Sequence, residues 1–151
     1  MKTIFVLATA ALVSAAAGQT FNFPLSGLQE VPQRITNGSG MGMLIVNPST
    51  REFHLHVEFS NLTGPAVAAH IHQGAFGTNG PVRINLTTVS PIMLDSTFTE
   101  VQYAALLAGN LYVNIHTQTF PGGEIRGQIV PAPASLGLLG LAGLAVGRRR
   151  R

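Results

Sequence analysis

Between Gln19 and Val130, apolar and polar residues alternate in run after run with a period of two. Phe53, Leu55, Val57 and Phe59 alternate with His54, His56, Glu58 and Ser60. Leu111, Val113 and Ile115 alternate with Tyr112, Asn114 and His116, and Val67, Ala69 and Ile71 with Ala68, His70 and His72. Ile125 and Ile129 stand against Glu124, Arg126 and Gln128. Each run is the pattern of a half-buried strand. Further strands are predicted near Phe21–Leu28, Met41–Val46 and Val82–Thr88. Asn47-Pro48, Gly64-Pro65, Gly80-Pro81, Ser90-Pro91 and Pro121-Gly122-Gly123 fall between runs and read as turns. Thr99 stands three residues before Gln102, a capping-box spacing, and Gly109 follows Leu106 and Leu107, so one short helix is expected there. The pattern predicts an all-β sandwich or flattened barrel of about eight strands with one short helix.

Composition narrows what such a domain can do. The chain has no cysteine, which excludes disulfides, thiolate metal sites and cysteine nucleophiles. Its formal charge of +3 is carried by the ends: Lys2 and Arg148, Arg149, Arg150 and Arg151 lie outside the patterned region. Within that region Arg34, Arg51, Arg83 and Arg126 face all six acids of the chain, about −2 by counting, so a nucleic-acid-binding face is excluded.

The ends read as addresses. Residues 1–18 have the form of a signal peptide: Lys2, an apolar stretch from Ile4 to Val13, then the small residues Ala15-Ala16-Ala17-Gly18. The protein is therefore expected to be exported. Residues 131–151 run Pro131-Ala132-Pro133, an apolar stretch from Ala134 to Gly147, and four arginines. As a helix that stretch spans roughly 21 Å, short of a ~30 Å hydrocarbon core unless the arginines snorkel. The layout resembles the PEP-CTERM sorting signal of Gram-negative bacteria, with Ala132 where that family has Glu. The resemblance implies membrane anchoring, transient or permanent, processing by an exosortase-like enzyme, and a destination in the outer envelope, cell surface or extracellular matrix.

Four segments of the middle region resemble the CHRD (chordin-type) domain: Leu25-Ser26-Gly27-Leu28-Gln29-Glu30-Val31-Pro32; Ala69-His70-Ile71-His72 with Asn79-Gly80-Pro81-Val82; Gly109 to Thr117; and Phe120 to Gln128. They occur in family order. The resemblance implies an immunoglobulin-like extracellular β domain over residues 19–130. A fainter likeness runs to copper-zinc superoxide dismutase. Asn61-Leu62-Thr63-Gly64 leading into His70-Ile71-His72 is similar to that enzyme's strand, loop and copper ligands, and Asn114-Ile115-His116 to a later ligand strand. It implies a Greek-key arrangement and His116 as a third ligand; the bridging histidine, zinc site and disulfide have no counterpart.

All five histidines lie on the polar phase of their strands. In His70-x-His72 the two Cα atoms stand roughly 6.6 Å apart on one strand face, close enough for two imidazoles to meet one ion. Imidazole suits copper, nickel and zinc. A loop from Gln73 to Gly80 could cover such a site. His54 and His56 form a possible second pair. If their strand made a hairpin with the His70–His72 strand, all four would share one face. If the strands belong to opposite sheets, as the dismutase resemblance implies, the pairs lie far apart. Against a metal stands a plainer role as surface residues or partners of a turn backbone. Other chemistry is thin: Asp95 is the only aspartate, no nucleophile elbow is present, and Glu124 and Arg126 are expected to satisfy each other or water. The expectation is an exported binding or structural module for extracellular polysaccharide or a surface protein, without assigned catalysis. The alternative is a copper-binding, dismutase-like protein using His70, His72 and His116.

Overall fold

A computed structural model describes residues 18–131. The expected signal peptide, apart from Gly18, and the expected C-terminal sorting segment, apart from Pro131, lie outside the described residues. Eight strands form: β1 (Gln19–Ser26), β2 (Ser39–Val46), β3 (Glu52–Ser60), β4 (Ala66–Gln73), β5 (Val82–Leu86), β6 (Ile92–Thr97), β7 (Leu111–Thr117) and β8 (Ile125–Ile129). They make one sheet in the order β5-β4-β7-β8-β1-β2-β3-β6, with every neighbouring pair antiparallel. The sheet curls into a nearly closed barrel, as the alternation predicts. The inward phase of every long strand forms a single core, including Phe23, Leu44, Leu55, Ile71, Val113 and Ile125, each fully buried.

β6 is a strand beyond those the alternation predicts. Its alternation is legible (Ile92 buried, Met93 exposed, Leu94 half-buried, Asp95 exposed), but Ser90-Pro91 and the polar Ser96-Thr97 frame it as loop. β1 ends earlier than expected, because Gly27–Gln29 turn into one 3-10 turn. The Gly27 carbonyl there accepts from the Glu30 and Arg34 amides, which ends ladder pairing. The helix α1 (Glu100–Leu107) forms as expected. Gln102 N–H donates to Thr99 Oγ1 (3.2 Å) and Thr99 N–H to Gln102 Oε1 (2.9 Å), closing the capping box. Leu106, fully buried, packs the helix onto the core. No helix among the described residues is long and apolar enough to cross a membrane.

The topology decides between the two placements of the histidine pairs. β3 pairs with β2 and β6, whereas β4 pairs with β5 and β7. The hairpin that would have joined His54 and His56 to His70 and His72 is absent, because residues 61–65 carry the chain to the other side of the barrel.

Candidate metal centre

β4 and β7 are neighbours, with Ala68 opposite His116 and His70 opposite Asn114. Both strands turn their polar phase away from the core, so His70, His72 and His116 share one outer face. One ring nitrogen from each lies within 4.8 Å of the others. His70 and His72 are half-buried and His116 is buried.

Two of the three rings are fixed in one tautomer by carbonyl groups, which can only accept. His72 Nδ1–H donates to Gly80 O at 2.9 Å, and His116 Nδ1–H donates to Pro121 O at 2.9 Å. Both therefore present an unprotonated Nε2 when neutral. His70 Nδ1–H donates to His116 Nε2 at 3.1 Å. His72 Nε2 is buried with no partner at all, an orphaned acceptor of the kind that normally has an explanation. Burial first, then the neighbouring His116 and His72 rings, hold His70 below the ordinary imidazole range. Burial likewise lowers His72, against the Gly80 hydrogen bond, with His116 and Arg126 adding to the decrease. The neutral form of His70 and of His72 is thus favoured.

The outer face is not the solvated surface that the alternation implied. Every residue of β7 and β8 is buried, on both phases. Segments 27–38, 74–80 and 118–124 cover them, held by a polar layer. Tyr112 stacks on His72 (centroids 5.0 Å, planes 8° apart), and the Arg126 guanidinium lies 3.5 Å from the Tyr112 ring centroid. Arg126 donates to Thr78 O (2.8 Å), Ala75 O (3.2 Å) and Gln128 Oε1 (2.8 Å), tying segment 74–80 to β8. Gly80 closes the arrangement: its N–H donates to Tyr112 OH while its carbonyl orients His72. A Cβ on Gly80 would collide with the Gln73 carbonyl, so no side chain fits there.

Glu124 and Arg126 do not satisfy each other, contrary to expectation. Glu124 accepts from Thr36, Thr63 and Thr117 hydroxyls and from the Thr63 amide. Burial pushes its carboxyl up, but these donors outweigh burial and hold it below the usual range. The carboxyl whose charge acts on Arg126 is Glu30, which burial lifts to about 7 against the pull of Arg126 and Arg34. Glu30 Oε1 and Asn114 Oδ1 are both buried without partners and both crowd the place where a Cβ on Gly123 would sit. A proton on Glu30 removes one of these buried acceptors, which fits the raised pKa. Strand register brings Tyr112 and Arg126 to this face, and segment 74–80 brings Gly80, a turn-backbone partner of the kind the sequence reading allowed for these histidines.

The CHRD domain profile matches residues 21–129. The chain belongs to the CHRD domain family. Membership accords with an extracellular β module, and the match covers seven strands whole and β1 from Phe21 onward. No curated protein and no solved structure matches the chain. His54 and His56 of this CHRD domain stand apart from the triad: His54 Nδ1 lies 2.6 Å from Asp95 Oδ1, and His56 Nε2 lies 3.6 Å from Glu58 Oε1.

Proposed function

We propose that this CHRD domain is an exported module that holds a transition-metal ion between His70, His72 and His116. The observation that carries the reading is the unpartnered, buried Nε2 of His72 beside two further imidazole nitrogens. Three neutral imidazoles form a ligand set suited to copper, nickel or zinc, and the Gly80 and Pro121 carbonyls supply the outer hydrogen bonds that metal-binding histidines normally make. The ring nitrogens of the three histidines, within 4.8 Å of one another, would hold one such ion. Copper would add one-electron chemistry when bound. The chain's own part is to fix the orientation of the His72 and His116 rings, to favour the neutral form of His70 and His72, and to surround them with the Tyr112–Arg126 layer. The C-terminal segment would tether or sort the module to the cell envelope, where an extracellular polysaccharide or surface protein would be its neighbour.

The test is a Cu(II) and Zn(II) titration followed by calorimetry, with electron paramagnetic resonance for copper, beside a His70→Ala/His72→Ala variant. Stoichiometric binding with nitrogen hyperfine structure, lost in the variant, supports the site. Weak binding that survives the double substitution retires it.

A further inference from the structure

The opposite side of the barrel carries a different set of donors. The sequence has four methionines, and the three beyond Met1 are Met41, Met43 and Met93. All three lie on the outer phase of β2 and β6, the two strands that flank β3. The register aligns Met43 with His56 and His56 with Met93, so one row across three strands reads Met–His–Met. Directly opposed residues in an antiparallel pair have Cβ atoms about 4.5–5.5 Å apart, within reach of two flexible thioethers converging on one imidazole. Met41 stands diagonally, opposite Glu58.

These methionines do not fill the core. Met93 is 61% and Met41 55% exposed, and Met43 is half-buried. Gap-filling in an irregular interior, the usual use of methionine, does not account for them. Among the described residues the His56 ring has a 3.6 Å approach to Glu58 Oε1, too long for a hydrogen bond, whereas His54 is held by Asp95. No Lys or Arg occurs on β2, β3 or β6, while Glu58 and Asp95 flank the row. The local charge therefore favours a cation.

We propose that Met43, His56 and Met93 form a second site, for a soft monovalent cation of the Cu(I) class, with Met41 beside it. Thioether sulfur selects Cu(I) over harder ions, and imidazole is compatible with it. The site is independent of the His70–His72–His116 reading and differs from it in ligand softness.

The experiment uses the full chain with methyl-labelled methionine, titrated anaerobically with Cu(I) against a competing chelator, and separately with Ag(I). The Met43 and Met93 methyl resonances shift together and saturate at one equivalent, and they do so equally in His70→Ala/His116→Ala. Met43→Leu/Met93→Leu, which conserves volume at positions outside the core, loses Cu(I) affinity at this site by at least about 100-fold, the upper end of what an outer-shell change costs. Methyl resonances that stay in place at Ag(I) saturation overturn the proposal. So does a Met43→Leu/Met93→Leu variant that binds Cu(I) as tightly as the parent.

Discussion

The two outer faces of the barrel begin from the same sequence pattern and end in different environments. On β2, β3 and β6 the polar phase meets water: His54 and His56 are half-buried, and Met93 and Asp95 are exposed. On β7 and β8 the polar phase is as buried as the core. The difference lies in the loops. Segments 74–80 and 27–38 fold back over β7 and β8 and join each other through Asn79 Nδ2, which donates to Val31 O at 2.8 Å. The covered face then has to satisfy every buried donor and acceptor internally. It does so for Arg126, Gln128 and Glu124, and leaves His72 Nε2 open. Glu30 Oε1 and Asn114 Oδ1 are open as well, beside Gly123; His72 Nε2 differs from them in facing two further imidazole nitrogens within 4.8 Å.

The largest expected effect contrasts the faces directly. Arg126→Met leaves the Thr78 carbonyl and Gln128 Oε1 without a donor and cuts the tie to Ala75 O, which keeps the Thr78 amide and hydroxyl; it costs about 2–4 kcal/mol. Chemical denaturation measures it, and a loss comparable with that of His54→Ala would break the comparison. Glu124→Gln comes next. It removes the charge that four hydrogen bonds address and costs roughly 1–3 kcal/mol, measurable as a lowered denaturation midpoint. Gly80→Ala forces segment 74–80 away from Gln73. Its sharper readout is local: the His72 ring loses the acceptor that sets its tautomer, so the His72 nitrogen resonances change while the β3 histidines stay as they are.

The pH dependence separates two groups of the covered face. His70 and His72 are held below the ordinary imidazole value of 6.5, so the folded chain binds fewer protons there than the unfolded chain. Their contribution to stability is full above 6.5 and declines as pH falls through that value toward their lower folded values. Glu30 has the opposite sign. Raised from 4.5 to about 7, it contributes fully below 4.5 and loses that contribution as pH rises through about 7. Glu30→Gln is therefore expected to abolish the loss on the neutral side and keep the acid-side loss from the histidines, in unfolding curves taken from about pH 5 to 8. The smallest effect belongs to the open face: His54→Ala changes stability by no more than about 0.5 kcal/mol, since its Asp95 partner is largely exposed and the pair is screened.

Period-two alternation determined the strands, because a strand puts successive side chains on opposite faces whatever it pairs with. Thr99 and Gln102 determined the helix start for a similarly local reason, the reach of two side chains across one turn. His70 and His72 were legible as one-face neighbours, and His116 was indicated by resemblance. The strand β6 was lost because its polar half looks like loop. What only the tertiary structure decided was strand order and loop placement. Alternation says which phase avoids the core, but not whether that phase meets water or a second layer of protein. The same pattern therefore gives exposed Met93 on one side and fully enclosed Arg126 on the other. Likewise His56 and His70 could have been partners in a hairpin, since nothing in either strand forbids that pairing. The crossover after Ser60 separated them, and register placed the Met43–His56–Met93 row on one side and the three imidazoles on the other. Pairing and cover depend on contacts between residues far apart in the chain, and no local pattern encodes them.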